Sequence, residues 1–472
     1  MRKTLDSRFA PNTSGAECHR SKAFGRLQRR WRSRDVAAVG RRAPAETQKP
    51  KGRMKRLVAG AVLALTFTLC SGVARAQLPP PPNAQPPPST SPPGLRPPTH
   101  PPAGSSDGAV GSRPLARLGT NELAQFKLGA DQFDEIETIE KGLGPTFNNV
   151  SCVACHFAPE RGGSSTNMVT RFGRLTNGVF DPMTEWGGSL LQSMAIDPTV
   201  QEFVPPEATI IAHRKTTSLL GAGLIEAIPD DAIVRNAARK KPDGVKGHAA
   251  IVYDVATKTN HVGRFGWKNQ QATLLAFAAD AYLNEMGITS RLFPTENAPN
   301  GNTYLLQQFD TVADPEDHVD PQSNMSDIDR LASFMRYLAP PQPGPVTANV
   351  RRGGGLFAAV GCAVCHQRTV VTGKNKVPAL NLKPVVLWSD LLLHDMGNLG
   401  DGIAQGAAGQ HEMRTSPLWG ARFNAPYLHD GRAPDIDAAI RAHGGQAAAS
   451  TQRYEKLNDS QRKALVEFVK SL

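Results

Sequence analysis

The clearest pattern along the chain is an apolar stripe that occurs twice with helical spacing. Each copy separates its residues by three and four positions, and the second copy follows the first after 134 positions. The two copies are Leu331, Phe334 and Leu338, then Leu465, Phe468 and Leu472. This spacing puts each set on one face of an α-helix. We predict two equivalent helices with core-facing stripes, N-capped by Ser326 and Ser460, the first ending before Pro340.

A second apolar segment lies nearer the N-terminus. Residues 57–69 carry no charge, follow a basic stretch that begins at Met54, and precede the small residues Ala74 and Ala76. This order of basic, apolar and small residues is typical of a secretory signal peptide. We therefore predict a signal peptide over 54–76 and a location in the periplasm.

The positive charge of the chain is concentrated in the same N-terminal part. The whole chain has 54 basic and 42 acidic residues. Residues 1–76 hold 18 of the basic and 4 of the acidic residues, a net charge of +14. The remaining residues therefore carry a net charge of −2. We therefore expect no nucleic-acid partner. Because a signal peptide starts at its own methionine, residues 1–53 are interpreted as a misassigned N-terminal extension. A helix that spans a bilayer needs about 20 apolar residues. The apolar segment 57–69 is shorter than this, so we expect no transmembrane anchor.

Proline marks two connecting segments. Residues 77–114 are Pro-rich and predict an extended linker. A second Pro cluster at 340–345 predicts the boundary between two domains, at 115–340 and 345–472. The first domain is the longer one, and we expect its additional residues between 225 and 325.

The cysteines indicate covalently bound haem. Four of the six form two C-x-x-C pairs, and a histidine follows each pair directly. These residues are Cys152, Cys155 and His156, then Cys362, Cys365 and His366. This is the attachment signature of c-type haem, in which the histidine is the proximal iron ligand. A zinc ribbon would have its pairs about 15–20 residues apart, whereas these are 210 positions apart. A thioredoxin-like dithiol would need a βαβ pattern, which neither pair has. We predict two haem c groups with His156 and His366 as proximal ligands.

The haem sites and the apolar stripes together predict the fold class. Phe147 and Phe357 each lie five residues before the first cysteine of a pair, and we expect both to pack beside a porphyrin. Each domain is predicted to begin with a helix that leads to the haem site and to end with a helix packed against it. The predicted fold is therefore mainly α, with two cytochrome c-like helical domains, the first enlarged.

Several segments also resemble a known family. They are residues 142–156, 221–230, 263–268, 389–397, 414–420 and 425–432. They are similar to the bacterial di-haem oxidoreductases, labelled peroxidases or thiol oxidoreductases, which are related to di-haem cytochrome c peroxidases. The resemblance covers about 120–472. It implies two facing cytochrome c folds, one haem storing electrons and the other meeting substrate. Met413 stands where an aromatic residue is expected in this family.

The distal iron ligands stay open at this stage. His213 and Met413 lie 57 and 47 residues after their proximal histidines, a workable interval for a ligand on the other haem face. The rival candidates are His394, Met396 and Met286. A methionine ligand would raise the potential of the second haem.

Two glutamates and two aromatic residues complete the candidates. Glu226 and Glu285 are predicted catalytic residues, because a peroxidatic haem needs a nearby acid or base. His429 is interpreted as structural, holding the turn at Asp430. Trp267 is expected either in the core or between the haems.

These observations predict a periplasmic di-haem c-type cytochrome oxidoreductase, peroxidase-like, that passes electrons between two covalently attached haems. Two alternatives are a non-catalytic electron-transfer cytochrome and a di-haem oxygenase or protein-modifying oxidase. The expected partners are a redox protein, either a small cytochrome or a cupredoxin, and a small-molecule oxidant. The family resemblance adds calcium as a possible further cofactor. We expect domain two to receive electrons and domain one to carry the substrate-facing haem.

Overall fold

The structure is a computed structural model that describes residues 112–472. The predicted extension (1–53), the signal peptide (54–76) and all but the last three residues of the Pro-rich linker (77–114) lie outside the described residues. None of the helices in the described part is both long and apolar enough to cross a membrane.

Helix is the main regular structure of residues 112–472. The α-helices are α1 (Thr120–Asp134), α2 (Ala222–Glu226), α3 (Asp230–Ala237), α4 (Leu274–Met286), α5 (Thr303–Phe309), α6 (Asp327–Tyr337), α7 (Ala348–Ala359), α8 (Ile436–Arg441), α9 (Ala448–Glu455) and α10 (Asp459–Lys470).

The strands are short and pair antiparallel. They are β1 (Thr146–Phe147), β2 (Met168–Thr176), β3 (Val179–Asp181), β4 (Leu190–Leu191), β5 (Met194–Ala195), β6 (Ile210–Lys215), β7 (Ile251–Asp254), β8 (Thr259–Val262), β9 (Val370–Val371), β10 (Pro384–Val385), β11 (Leu393–Asp395) and β12 (Glu412–Arg414). β2 pairs with β3, β4 and β6, and the other pairs are β1–β5, β7–β8, β9–β10 and β11–β12. The four-stranded sheet precedes residue 225 and so lies outside the interval 225–325 in which the additional residues were predicted. That interval contains α3, α4, α5 and the β7–β8 hairpin.

The helix predicted from the first apolar stripe is α6. Leu331, Phe334 and Leu338 are all buried, as expected for a core face. Ser326 is the N-cap, and its backbone N–H donates to the Oδ2 atom of Asp329 at 3.1 Å. The helix ends at Tyr337, before Pro340.

The second predicted helix is α10. Leu465 is completely buried, and the stripe faces α7. The N-cap is Asn458 rather than the predicted Ser460, because the side chains and backbone N–H groups of Asn458 and Gln461 form a reciprocal capping box.

Both helices cross an earlier helix at a glycine. α6 packs on α1, and α10 packs on α7. A Cβ atom at Gly129 of α1 would lie 2.2 Å from the carbonyl oxygen of Arg330, and one at Gly353 of α7 would lie 2.0 Å from that of Ala464. Arg330 and Ala464 are again 134 positions apart. The two helix pairs therefore share one crossing geometry.

The large core of the described residues includes segments from both sides of the predicted linker. Ala379, Leu380, Val385, Leu387, Leu391 and Leu392 belong to the same cluster as Phe126, Phe334 and Tyr282. A smaller cluster surrounds Phe357, Tyr454 and Leu465. The second half of the chain thus completes the core of the first.

Candidate functional site

The two C-x-x-C-H segments have the same local geometry. The backbone N–H of His156 donates to the carbonyl of Cys152 at 3.0 Å, and that of His366 donates to the carbonyl of Cys362 at 2.9 Å. Each segment therefore forms one tight turn that brings two thiols and an imidazole together. The four cysteines form no disulfide with one another.

Both histidines present the same ring nitrogen for coordination. The Nδ1 atom of His156 donates to the carbonyl of Gly163 at 3.1 Å, and that of His366 donates to the carbonyl of Trp388 at 3.0 Å. These bonds fix each ring and leave Nε2 available for a metal. Desolvation lowers the pKa of both imidazoles to about 4, which keeps them neutral, as a metal ligand must be.

A phenylalanine packs beside each histidine, but only one is the residue predicted. Phe357 of α7 lies 6.4 Å from His366 between ring centroids, and Phe133 of α1 lies 6.1 Å from His156. Phe147 and Phe357 differ in their local structure, since Phe147 lies in β1 and Phe357 lies in α7. Seventeen residues separate α1 from Cys152, whereas two residues separate α7 from Cys362.

A cavity of about 300 Å³ adjoins the second C-x-x-C-H segment. Cys362, Cys365 and His366 line one wall, and Met413 and Trp267 are among the other lining residues. A cavity of this size and apolar character suits a flat cofactor.

His443 faces His366 and was not among the residues predicted from the sequence. The two ring centroids are 6.5 Å apart, with the rings inclined at 61°. His443 donates from Nδ1 to the carbonyl of Ala439 at 2.7 Å, so its Nε2 is also free. Two imidazoles on opposite sides of one metal, with bonds of about 2.0 Å, have centroids about 6 Å apart. His366 and His443 fit the two axial positions of one haem iron.

His394, a predicted distal candidate, has partners at both ring nitrogens. Nε2 lies 3.0 Å from Oδ2 of Asp390, and Nδ1 lies 3.0 Å from Oε1 of Gln446. Burial lowers its pKa, but the hydrogen bonds and charges of Asp390 and Cys365 together outweigh burial and raise the pKa to about 10. A protonated imidazole cannot bind iron, so the geometry disfavours His394 as a ligand.

The remaining distal candidates differ in their positions. Met413 is buried in β12, and both Met413 and Met396 line the cavity. His213 is exposed on β6, where its Nδ1 lies 3.2 Å from the hydroxyl of Thr170, and it does not line the cavity. Met286 is part of the large core. The surroundings of His213 and Met286 do not suit an iron ligand.

Glu285 lies beside the first C-x-x-C-H segment. Its Oε2 atom accepts from the amide of Asn148 at 2.9 Å, and its carbonyl accepts from the N–H groups of Asn148 and Asn149. The side chain of Asn149 in turn reaches the sulfur of Cys155 at 3.6 Å. Burial raises the pKa of Glu285, although Arg171 opposes the rise. Glu285 can therefore hold a proton close to this site.

Glu226, the other predicted catalytic residue, has a structural environment. Both of its carboxylate oxygens accept from Arg336, at 2.7 and 3.3 Å. Oε1 also accepts from the N–H of Leu274 in the first turn of α4, at 2.8 Å. The carboxylate thus ties α2, α4 and α6 together, and each of its oxygens accepts at least one hydrogen bond.

Trp267 and His429 form one side of the cavity. The indole N–H donates to the carbonyl of Lys215 at 2.8 Å, and the two rings meet edge to face at 6.2 Å. His429 is buried, and desolvation lowers its pKa to about 4. The Nε2 atom of His429 lies 3.9 Å from Oδ2 of Asp430, so its contact with the predicted turn is weak. The ring packs against Trp267.

The contacts of the Arg414 guanidinium indicate whether the cavity suits a haem. Its guanidinium has no carboxylate partner within residues 112–472, and its buried Nε atom has no hydrogen-bond partner. Burial lowers its pKa to about 10. A cofactor with carboxylate groups, such as the propionates of haem, would supply the missing acceptor. The cavity, the thiols, the paired imidazoles and this arginine together fit a haem.

Comparisons with known proteins give a consistent picture. The family described as "di-haem oxidoreductase, putative peroxidase" matches residues 200–472. This region includes the second C-x-x-C-H segment and His443. Cytochrome c peroxidase Ccp of Escherichia coli K12 is 23% identical over 192 residues, which are 37% of this chain and 38% of that protein. The chain thus aligns with well under half of the length of this curated relative.

Two solved structures are also similar. One is a MauG-like protein associated with microbial copper homeostasis, with 16% identity and a TM-score of 0.38 over 78% of this chain and 95% of that chain. The other is the diheme peroxidase BthA from Burkholderia thailandensis E264, with 12% identity and a TM-score of 0.35 over 74% of this chain and 86% of that chain.

Proposed function

The chain belongs to the di-haem oxidoreductase family, and from this premise we propose that it is an exported, peroxidase-like enzyme with two covalently attached haem c groups. The observation that carries the proposal is the shared geometry of the two C-x-x-C-H segments. In both, a backbone carbonyl accepts from Nδ1 of the histidine. Cys152 and Cys155 would hold one haem, and Cys362 and Cys365 the other.

The two sites differ in what faces the proximal histidine. At the second site His443 is available as a sixth ligand, so this haem would be held by His366 and His443 on its two faces. A haem held by His366 and His443 would supply electron storage or electron transfer at this site.

At the first site the protein offers a proton donor. Bound haem iron would supply the electrons that reduce a peroxide, and Glu285 is available to carry protons to the oxygen atoms as their bond is cleaved. Asn148 orients the carboxylate through the bond to Oε2. Glu226, which is neutralised by Arg336, holds the helices in place and is a positioning residue.

The remaining elements of the proposal concern location and partners. The signal-peptide pattern at 54–76 supports export to the periplasm, where c-type haem is attached. Electrons would come from a small cytochrome or a cupredoxin. The protonatable Glu285 favours an enzyme over a pure electron carrier, because a carrier needs no buried acid near its haem.

The test uses the full haem-loaded protein. Peroxide turnover is measured with a reduced cytochrome as electron donor, and electron paramagnetic resonance of the half-reduced protein is recorded with and without peroxide. We expect turnover, and a change of signal at the first haem alone. Two haems that both stay six-coordinate and inert to peroxide would refute the enzyme proposal in favour of a carrier.

A further inference from the structure

A tyrosine and a glutamate form a buried, hydrogen-bonded pair that the proposed function does not use. The phenol of Tyr282, in α4, donates to Oε1 of Glu137 at 2.6 Å. Only 1% of Tyr282 and 5% of Glu137 are exposed. The side-chain amide of Gln132 donates to the same Oε1 atom at 3.4 Å and to the phenol oxygen at 3.3 Å. The phenol and the carboxylate are therefore held in one orientation, away from solvent.

The pair adjoins the first C-x-x-C-H segment. The backbone N–H of Glu137 donates at 2.8 Å to the carbonyl of Val150, two residues before Cys152. Cys152 packs against the core cluster that contains Tyr282. Burial, followed by the negative charge of Glu137, raises the pKa of the Cys152 thiol. The phenol and a haem attached at Cys152 would therefore share one apolar interior.

Glu137 is able to accept the phenolic proton. A buried phenol that loses an electron must also lose its proton, because an uncompensated charge in the interior is costly. Lys141 pairs with Glu135, and no lysine, arginine or histidine of residues 112–472 forms an ion pair with Glu137. Burial raises the pKa of Glu137 to about 7, although the hydrogen bond from Tyr282 opposes the rise. A base with a pKa near 7 suits proton transfer at neutral pH.

Tyr454 offers a comparison within the same chain. It is completely buried in the smaller core cluster, and its phenol donates to Oδ1 of Asp437. Asp437, however, is paired with Arg441 at 2.7 Å. Burial raises the pKa of Asp437, but the hydrogen bonds from Arg441 and Tyr454 and the charge of Arg441 outweigh burial and lower it. A carboxylate of lowered pKa is a poorer acceptor for a proton, so Tyr454 has the hydrogen bond without the base.

We propose that Tyr282 is a redox-active residue that gives one electron to the first haem during peroxide turnover, with Glu137 as the acceptor of its proton. The inference rests on the proposed function, which supplies peroxide as the oxidant. Once peroxide has oxidised the haem, the phenol gives one electron to it, the O–H bond breaks, and the proton passes to Oε1 of Glu137. A neutral tyrosyl radical and a protonated Glu137 remain. One electron relayed from the second haem and the proton returned by Glu137 restore the phenol, so the pair is unchanged after each turnover.

The test looks for the radical directly. The full haem-loaded protein is mixed with hydrogen peroxide and frozen at a series of times, and electron paramagnetic resonance detects any organic radical. Peroxide consumption is measured in the same samples. Protein made with ring-deuterated tyrosine identifies a tyrosyl radical, because deuterium narrows its signal. Variants Tyr282→Phe and Glu137→Gln are compared with Tyr454→Phe, and the absorption spectrum confirms that each variant holds its haems.

We expect a tyrosyl signal in the unaltered protein and in Tyr454→Phe, and none in Tyr282→Phe. Glu137→Gln keeps a hydrogen-bond acceptor for the phenol but cannot take its proton, so the radical should form about 10²-fold more slowly. Peroxide consumption that leaves no tyrosyl radical, or a radical that persists in Tyr282→Phe, would overturn this inference and leave the proposed function standing. An unaltered protein that consumes no peroxide would overturn both.

An unchanged rate of radical formation in Glu137→Gln would remove Glu137 from the proposal, since the proton would then have another acceptor.

Discussion

The two imidazoles of His366 and His443, at the cavity beside the second C-x-x-C-H segment, would determine the character of the proposed second haem site. His366 and His443 both anchor Nδ1 on a backbone carbonyl and direct the other nitrogen away from it. A His/His haem has a lower potential than a Met/His haem, because the thioether ligand favours reduced iron. The second haem is then a stronger reductant than a methionine ligand would make it.

We predict that His443→Ala converts the second haem from six-coordinate to five-coordinate. Removing the imidazole leaves one axial position without a protein ligand, while the cysteine attachments are untouched. Electron paramagnetic resonance should show a low-spin signal replaced by a high-spin signal, with two haems per chain by mass. Replacement by methionine, His443→Met, should instead raise the midpoint potential of this haem.

Met413→Ala and Met396→Ala serve as matched controls, since both side chains line the same cavity. We expect both variants to keep the low-spin signal of the second haem. If either loses it while His443→Ala keeps it, the methionine is the ligand and the assignment of His443 is incorrect.

At the first site, Glu285→Gln should lower peroxide turnover by about 10²–10⁴-fold, the usual contribution of a positioned acid or base. Haem content and the absorption spectrum should not change, because Glu285 contacts asparagines and not a haem ligand. Glu207→Gln, at an exposed position, should behave like the unaltered protein.

The pH dependence of turnover gives a second readout for the same residue. Burial raises the pKa of Glu285, so the carboxyl group keeps its proton to a higher pH than an exposed glutamate. The rate of a turnover that needs this proton is maximal at low pH and falls as the pH rises through the raised pKa of Glu285. Stopped-flow measurements across pH should show this decline in the unaltered protein and its absence in Glu285→Gln.

The roles of some residues can be predicted from the sequence, and the roles of others cannot. The haem attachment residues follow from spacing and chemistry, because two thiols and an imidazole must lie on one turn. His443 has no such local signature. It lies 77 positions after His366 and before two glycines, and only the folded chain brings the two rings together. Likewise, Arg336 neutralises Glu226 from 110 positions away, which no local pattern indicates.

Among the elements, the helix pairs α1–α6 and α7–α10 pack in the same way. A glycine on the earlier helix lets the backbone of the later helix approach closely, and a phenylalanine four positions further on packs beside the haem histidine. The closing helices were predictable, since their apolar stripes are complete within one segment. The position of the opening helix of the first pair was not predictable, because its phenylalanine is Phe133 and the sequence beside Cys152 offers Phe147 instead.

The α7–α10 crossing leads to a stability prediction. Gly353→Ala should destabilise the protein by about 1–3 kcal/mol, since the new methyl group would lie 2.0 Å from the carbonyl of Ala464 and force the helices apart. Chemical denaturation of the haem-loaded protein, followed by circular dichroism, measures the change.

Gly355 in the same helix is the matched control. A Cβ atom there has no neighbour within 4 Å. Alanine is the better helix former, so Gly355→Ala should stabilise the protein by about 0.5–1 kcal/mol. Equal effects of the two substitutions would show that helix propensity, and not the crossing, determines stability here.

For the whole molecule, the predicted processing and haem attachment can be tested together. Protein recovered from the periplasm should begin at Gln77 and carry the mass of two covalently added haems. Substituting Cys152 and Cys155 by alanine should remove one haem, and substituting Cys362 and Cys365 should remove the other. A mature chain that retains residues 26–42, or zinc in place of haem, would contradict the prediction.

The shared core imposes an order on how the molecule is made. Residues 379–392, which follow the second C-x-x-C-H segment, fill the interior of the first half of the chain. A chain that leaves the membrane N-terminus first cannot seal that interior until this late segment has emerged. Both pairs of thiols would then remain accessible to the haem-attachment apparatus over the same interval. On the proposed export, closure around an empty first site would be delayed until this segment has emerged, and we expect neither half to be stable after proteolytic separation.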